Sequence, residues 1–473
     1  MNATESGFPG KKKGLLIFTA LFLMVGMMMA SYSSNVLLPS QLTVFADPSD
    51  TTYSLYYAFM AAIASTGMMI ALPISGSLSA KFGSKTIMVF GILAQFVMKL
   101  LLPFMSSVVL FGLVYFLMGF FGGLYMAAPY TLMAEIVSPE ERPKYFGFLA
   151  AMSAVGALLG PLLTGIVSAN LGLKVAWPFY FLFLIIPLVL LLVNYPNTKR
   201  PGVSFDVGGL LLLALFVIPL IFWLSLGGGV FQRFSGIGLV LLALSIIGLV
   251  WMIIREKKVE NPAVPVKMFA KKRFRTTFIV AALIVAYATT AGAYGIRYAQ
   301  QVMGVSQTVS STVTMPQTIV QFIVGIVIGG IIGKQFKKKF RAVGLISIIA
   351  YIVALLIMWT LKADSSIILL LVATGIGGIG QGISQSQYAA FFQSELKMEE
   401  IRPAQGMYQF AQTGFSSIIT AVYGLAQGLG AGMHDLFLLG AVICGIGLIV
   451  ALVGFRFPKE EIEAEAAAIA AGK

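Results

Sequence analysis

The sequence predicts an all-α polytopic membrane protein with about fourteen transmembrane helices, and three observations carry that expectation. Of its 473 residues, 58% are hydrophobic and only 11% charged, with a mean hydropathy of +0.93. A soluble domain of this length needs charge on roughly a quarter of its residues. The apolar residues fall in runs of about 20, enough to cross a bilayer, separated by short charged knots. The basic residues, finally, sit on alternate connections along the chain. Backbone polar groups in lipid must bond within their own segment, so such runs form helices. The ten-residue alternation of a membrane barrel is missing.

Taken in order, the runs place spans at 14–37, 53–75, 85–106, 107–128, 145–168, 175–194, 207–227, 236–254, 276–297, 310–333, 342–361, 366–388, 403–427 and 434–455. The third and fourth nearly touch between Pro103 and Val108. With the N-terminus in the cytoplasm, all of the 32 Lys and Arg fall at cytoplasmic ends except Lys174, Arg233, Arg297, Lys362 and Lys99. That asymmetry is the positive-inside rule, and an odd span count would destroy it. Both termini are therefore expected in the cytoplasm, in a multi-pass protein of the cell membrane. The net charge of +14 reflects topology, and nucleic acid is not an expected partner. Lys11 to Lys13 precede an apolar stretch, as in a secretory signal, but the run continues to Leu38 without a cleavage site and is read as the first helix.

The connection from Arg255 to Arg275 is the longest on the cytoplasmic side, and Asn261-Pro262 and Pro265 keep it from being helical. It suggests a six-helix bundle at residues 1–200, a two-helix spacer at 201–258, a second six-helix bundle at 259–457 and a cytoplasmic tail at 458–473. An internal repeat supports the division. Gly76, Lys81 and Lys85 follow the second span, and Gly329, Lys334 and Lys338 follow the tenth with the same spacing. Parallel six-helix halves around a central site are a transporter architecture.

These residues also carry a family resemblance. Gly76-Ser-Leu-Ser-Ala80-Lys81-Phe-Gly83-Ser-Lys85 resembles the loop signature of the major facilitator superfamily, although the family usually has an acid where this chain has Ala80. Gly156-Ala-Leu-Leu-Gly160-Pro161-Leu-Leu-Thr-Gly165 resembles its antiporter signature. Glycines four apart let another helix backbone approach, and Pro161 removes a donor. Asn35-Val-Leu-Leu-Pro39, Phe205-Asp206-Val-Gly-Gly-Leu and Asn261-Pro262-Ala-Val-Pro265 are similar to the fourteen-helix drug:proton antiporter branch. The resemblance implies alternating access, with Gly76, Lys81, Gly83, Lys85, Gly156, Gly160, Pro161 and Gly165 as conformational residues.

The chemistry of the spans departs from that branch. None of the 18 acidic residues falls in mid-span. Where the branch carries an acid on the first helix this chain has Ala30, and where its fourth helix carries Arg and Gln this chain has Tyr115 and Met118. A cation in the membrane would meet no buried counter-charge, whereas intramembrane charge usually marks function. Lys99 lies roughly 21 Å into the third span at 1.5 Å per residue, either facing a cavity or snorkelling to the outer surface. Arg297 ends the ninth span beside Tyr294, and its planar fork suits a carboxylate or sulfonate; the alternative is an interfacial anchor.

Glutamines recur at helical spacing: Gln317 and Gln321, Gln381 and Gln385, and Gln405, Gln409 and Gln412. Each set shares a face that should look inward, toward helix contacts or a wet pathway. Arg297, Lys99, Asn35, Tyr294, Gln321, Gln381, Gln412, Tyr115 and Met118 are the candidate substrate-binding set. Methionines such as Met24, Met68 and Met126 offer a deformable apolar wall.

The expected activity is secondary transport of a small amphipathic organic anion by alternating access, with a bile-acid-like carboxylate as one candidate cargo and proton symport as one candidate coupling. Multidrug/proton antiport using Glu135 or Asp206 is the alternative, and a non-transporting sensor a third. No enzyme chemistry and no cofactor or metal is expected. Cys444 and His434 stand alone, and no GxxxxGK[ST] sequence occurs. Gly375-Ile-Gly377-Gly378-Ile-Gly380 spells a dinucleotide fingerprint but follows no strand. The expected partners are a small-molecule substrate, protons and the lipid bilayer, and a monomer is expected.

Overall fold

The computed structural model describes residues 10–47, 51–197, 206–259, 262–332 and 335–470. Gly333 and Lys334 of the repeat, together with Phe205 and Asn261, lie outside them. The described residues are almost wholly helical, and their one β-bridge joins Gly227 to Phe231.

The first six helices are α1 (Gly10–Leu42), α2 (Thr51–Phe82), α3 (Ser84–Leu101), α4 (Val108–Met126, continued by Ala128–Ile136), α5 (Arg142–Leu171) and α6 (Leu182–Asn194). Next come α7 (Val207–Leu226) and α8 (Gly236–Glu256). The last six are α9 (Lys272–Thr289), α10 (Met315–Ile332), α11 (Phe336–Trp359), α12 (Ile367–Gln393), α13 (Met398–Gly428) and α14 (Asp435–Gly454), followed by a short tail helix α15 (Lys459–Ala470).

Thirteen of the described helices are long and apolar enough to cross a membrane. The exception among the expected spans is α13, which carries Glu399, Glu400, Arg402, Gln405, Gln409 and Gln412. Its polarity reflects its place among protein neighbours. Gly406 lies against the Leu72 carbonyl of α2, and Ser416 bonds Thr289 of α9 at 2.8 Å. The fourth span runs to Ile136, further than hydropathy suggested, because Ala128–Ile136 continues α4 after a one-residue step at Ala127.

Packing sorts the helices into groups. Helices α1 to α6 pack on one another and α9 to α14 on one another, while α7 pairs with α8 and rests on α2. Small residues set the closest approaches. A β-carbon on Gly156 would stand 2.5 Å from the Val25 carbonyl oxygen, and one on Gly160 3.0 Å from Met29 Cα, so the antiporter-like stretch seats α5 against α1. Between groups, a β-carbon on Gly147 would stand 2.3 Å from the Gly325 carbonyl oxygen, bringing α5 and α10 into backbone contact.

The spacer is pinned at one end by Asp206. Its carboxylate caps α7 through the Gly209 N–H at 3.0 Å and accepts from the Arg255 guanidinium at the end of α8. Burial works to raise this carboxyl, but the bonds from Arg255 and Gly209 outweigh it and hold it below its ordinary value.

Two outcomes follow. A depressed carboxyl stabilises the fold above its unfolded pKa of about 3.9 and loses that contribution as pH falls. Asp206→Ala is therefore expected to lower stability by about 1 kcal/mol near neutrality and to match the wild type in strong acid, as read by thermal unfolding at a series of pH values. Gly147→Leu is expected to hold α5 and α10 apart; spin labels at Glu140, just before α5, and at the exposed Ile331 of α10 would report a longer distance than in the wild type.

Candidate functional site at the meeting of the two helix groups

Contacts between the first and last six helices concentrate near one end of the molecule, within about five helical turns of the connections at 82–84, 137–141 and 394–397 and of the end of α10 at Ile332. Gly76 meets Pro403, Gly406 meets the Leu72 carbonyl, and Gly414 meets Met69. Gln321 of α10 donates to Ser153 Oγ (2.9 Å) and the Ala150 carbonyl (3.3 Å) of α5. Tyr130 donates to the Gln385 carbonyl at 2.9 Å, and Gln387 donates to the Pro143 carbonyl at 3.3 Å. These loop ends carry Lys81, Lys85, Arg142, Lys144 and Lys397, so the closed end is the basic one.

Among the described residues, one ion pair crosses this junction. Arg402 Nη2 on α13 lies 3.0 Å from Glu135 Oε1 at the end of the α4 continuation, and Tyr195, just after α6, donates to the other carboxylate oxygen. Arg402 is 11% exposed and Glu135 26%. Arg402 also faces a cavity of about 10 Å³, lined by Ser75, Ser79 and Thr131 among others, which is room for one water. Its Nη1 has no hydrogen-bond partner among the described residues. A half-desolvated pair that joins both groups opposes their separation, because parting strands two charges.

Toward the opposite end, here called the diverging end, no hydrogen bond or ion pair between described residues joins the two groups. A β-carbon at Gly165 of α5 or at Gly292 of the segment after α9 would meet nothing within 4 Å. Tyr32 and Asn35 of α1 are exposed, one turn apart. Helix α9 continues through a π-turn, Thr290–Tyr294, into Gly295–Gln301. The π-turn is anchored by Thr290 Oγ1 to Tyr423 at 2.6 Å, and Tyr294 meets Tyr423 edge to face. Arg297 is exposed, its guanidinium 5.7 Å from the Tyr294 ring. Single π-turns recur at functional sites.

The predicted residues are thus dispersed. Arg297 and Tyr294 stand together, and Asn35 is exposed on the other group. Gln321 closes the junction, whereas Gln381 accepts from Tyr351 at 3.0 Å and Gln412 donates to Tyr408 at 3.3 Å within the last six helices. Tyr115 and Met118 are buried inside the first group, where Tyr115 stacks on Phe111 and the Met118 carbonyl accepts from Gln95. Lys99 does not snorkel. It is fully buried, with Nζ 2.5 Å from the Ala30 carbonyl oxygen and 3.1 Å from Ser33 Oγ, and it shares no partner with Arg297. Of the loop residues, Lys85 donates to the Leu192 carbonyl, Gly83 turns at φ 96° beside Asn197, and Lys81 is exposed over Phe82. Pro161 lies inside α5 between the packed Gly160 and the open Gly165.

A family model for the Major Facilitator Superfamily matches residues 20–421. The chain belongs to that superfamily. It is 26% identical over 419 residues to Multidrug resistance protein 3 of Bacillus subtilis (strain 168), covering 87% of this chain and 79% of that protein. It is 28% identical over 165 residues to the class H tetracycline resistance protein of Pasteurella multocida, covering 34% of this chain and 40% of that one. Among solved structures, the human organic anion transporter MFSD10 (TETRAN) superposes with a TM-score of 0.65 at 14% identity, over 94% of this chain and 100% of that chain. The E. coli fucose:proton symporter FucP gives 0.62 at 14% identity, over 94% and 98%. The likeness to these structures concerns the fold. As a member of this superfamily the chain is a multi-pass membrane transporter, and the proteins named here are transporters or resistance proteins rather than enzymes.

Arg402→Met leaves Glu135 without its cationic partner and is expected to weaken closure of the basic end by about 1–3 kcal/mol. Exchanging the charges in Glu135→Arg with Arg402→Glu should recover part of that loss, and a double-mutant cycle on the rate of cross-linking across the junction measures it.

Proposed function

We propose that this superfamily member is a secondary transporter of small amphipathic organic anions, working by alternating access between the helix groups 1–200 and 259–457 with the pair 201–258 as spacer. One observation carries the reading. Each described Asp and Glu lies at a helix end, between helices or in the tail helix α15, and none in the middle of a span, while Arg297 is exposed at the diverging end beside Tyr294. An intramembrane surface without fixed negative charge disfavours a cation, and an exposed guanidinium can hold a carboxylate by two parallel bonds. Tyr32 and Asn35, both exposed on α1, supply amphipathic surface on the facing group. With the basic end taken as cytoplasmic, both termini lie in the cytoplasm of the cell membrane and the structure is open to the outside. The chain acts as a monomer in this reading, and protons enter with a weakly acidic substrate.

A second reading is multidrug/proton antiport, which two observations favour. The relatives include a multidrug and a tetracycline resistance protein. Glu135 also joins both helix groups at the closed end, where a change in its charge would alter the junction.

Uptake of radiolabelled cholate into proteoliposomes, with and without a pH gradient, separates the two. The organic-anion reading expects uptake that falls at least about tenfold in Arg297→Ala, the loss of roughly 1.4 kcal/mol of binding. Unchanged uptake in that variant removes Arg297 from the site. Resistance of overexpressing cells to ethidium, without cholate uptake, supports the second reading instead.

A further inference from the structure

Inside the first helix group, Lys99 of α3 reaches across to α1 and meets only uncharged neighbours. Its ammonium donates to the Ala30 carbonyl and to Ser33 Oγ, lies 4.3 Å from the centre of the Tyr180 ring and 6.0 Å from that of Trp177, and is wholly shielded from solvent. No described carboxylate forms an ion pair with it. The titratable groups around it are phenols: Tyr180 between α5 and α6, Tyr125 of α4, which donates to Gln95 one turn before Lys99, and Tyr115 of α4, edge-on to Trp177.

The hydrogen bonds here do not balance. The Ala30 carbonyl takes three side-chain donors, Lys99 at 2.5 Å, Ser33 at 3.0 Å and Ser34 at 3.3 Å, although a carbonyl offers two lone pairs. The buried Tyr180 hydroxyl has no hydrogen-bond partner among the described residues. The site therefore holds more donors than acceptors, around a charge with no counter-ion, in the part of the molecule where such a charge costs several kcal/mol. Removing one proton from Lys99 corrects both faults. The neutral amine gains a lone pair, Ser33 can turn its hydroxyl to donate to it, and the Ala30 carbonyl loses a competitor. Because the Ser33 hydroxyl accepts from an ammonium and donates to an amine, the site keeps a bond in either state.

Lys99 is also placed where its charge is felt. Ala30 and Ser33 lie on the same stretch of α1 as the exposed Tyr32 and Asn35, and that stretch packs on α5 through Gly160. We propose that Lys99 is a proton-binding site of the transport cycle, loaded as an ammonium and unloaded as an amine, whose state sets how α1 sits against α3. The proton leaves Nζ as H⁺ with its bonding pair remaining on nitrogen, and returns by the reverse step. What the proton does rests on the transport reading above; that it binds here does not.

The test needs no substrate, so it stands if the organic-anion reading fails. Purified protein in detergent is stepped from about pH 5 to about pH 9, a range in which an exposed lysine keeps its charge, and released protons are counted with a soluble indicator dye. Wild type is expected to release about one proton per chain more than Lys99→Met. Lys99→Arg should resemble Lys99→Met, because a guanidinium keeps its proton throughout. Equal release from wild type and Lys99→Arg overturns the proposal. Should Lys99→Met fail to fold, Lys99→Arg, which retains a donor and a charge at the site, carries the comparison alone.

Discussion

Backbone contact between helices at the basic end is the constraint on which the closed junction depends. Gly147, Gly325 and Gly329 let α5 and α10 meet without side chains between them, and Gly76 and Gly406 do the same for α2 and α13. In lipid the surrounding tails are as apolar as a leucine, so burial of side chains gives little drive to bring helices together; close packing and polar bonds across the gap must supply it. Once the backbones touch, Glu135 and Arg402 come within 3.0 Å and Gln321 reaches Ser153. Larger residues at the glycines would keep those partners apart.

The same logic explains where the glutamines go. A primary amide in an apolar surrounding needs partners, and these side chains find them on neighbouring helices: Gln321 on α5, Gln387 on the Pro143 carbonyl, Gln381 on Tyr351 and Gln317 on Tyr287. Polar residues inside the bundle thus fix helix positions first. Only side chains left exposed at the diverging end, such as Asn35 and Arg297, remain free to meet a solute.

The helical, membrane-crossing character of the chain was legible because hydropathy and charge placement act over whole segments. The family was legible because Gly76–Lys85 and Gly156–Gly165 are local patterns with fixed spacing. Contacts between distant segments were not. Arg402 precedes Pro403 in a polar helix, and nothing in that stretch names Glu135, 267 residues away, as its partner. Lys99 shows the same limit. Depth along α3 could be estimated from residue counting, but whether its stem turned to lipid or inward depended on the space left by Ala30 and the ring of Tyr180. Tyr115 and Met118 were chosen by position on the fourth helix, and that helix turns them into the first group's core.

The π-turn after α9 has an effect on how the helix presents its side chains. Widening one turn to an i→i+5 bond adds a residue without adding a turn, which rotates everything downstream by about 100° relative to an uninterrupted helix. A helical wheel drawn through Tyr287 and Arg297 therefore assigns them the wrong relative direction. Rewinding the same residues of Thr290–Tyr294 as α-helix would swing the guanidinium by about 100° around the helix axis, whereas deleting one of them would restore regular winding and keep its direction, so the aim of Arg297 is set by the winding of the backbone before it as well as by its own rotamer.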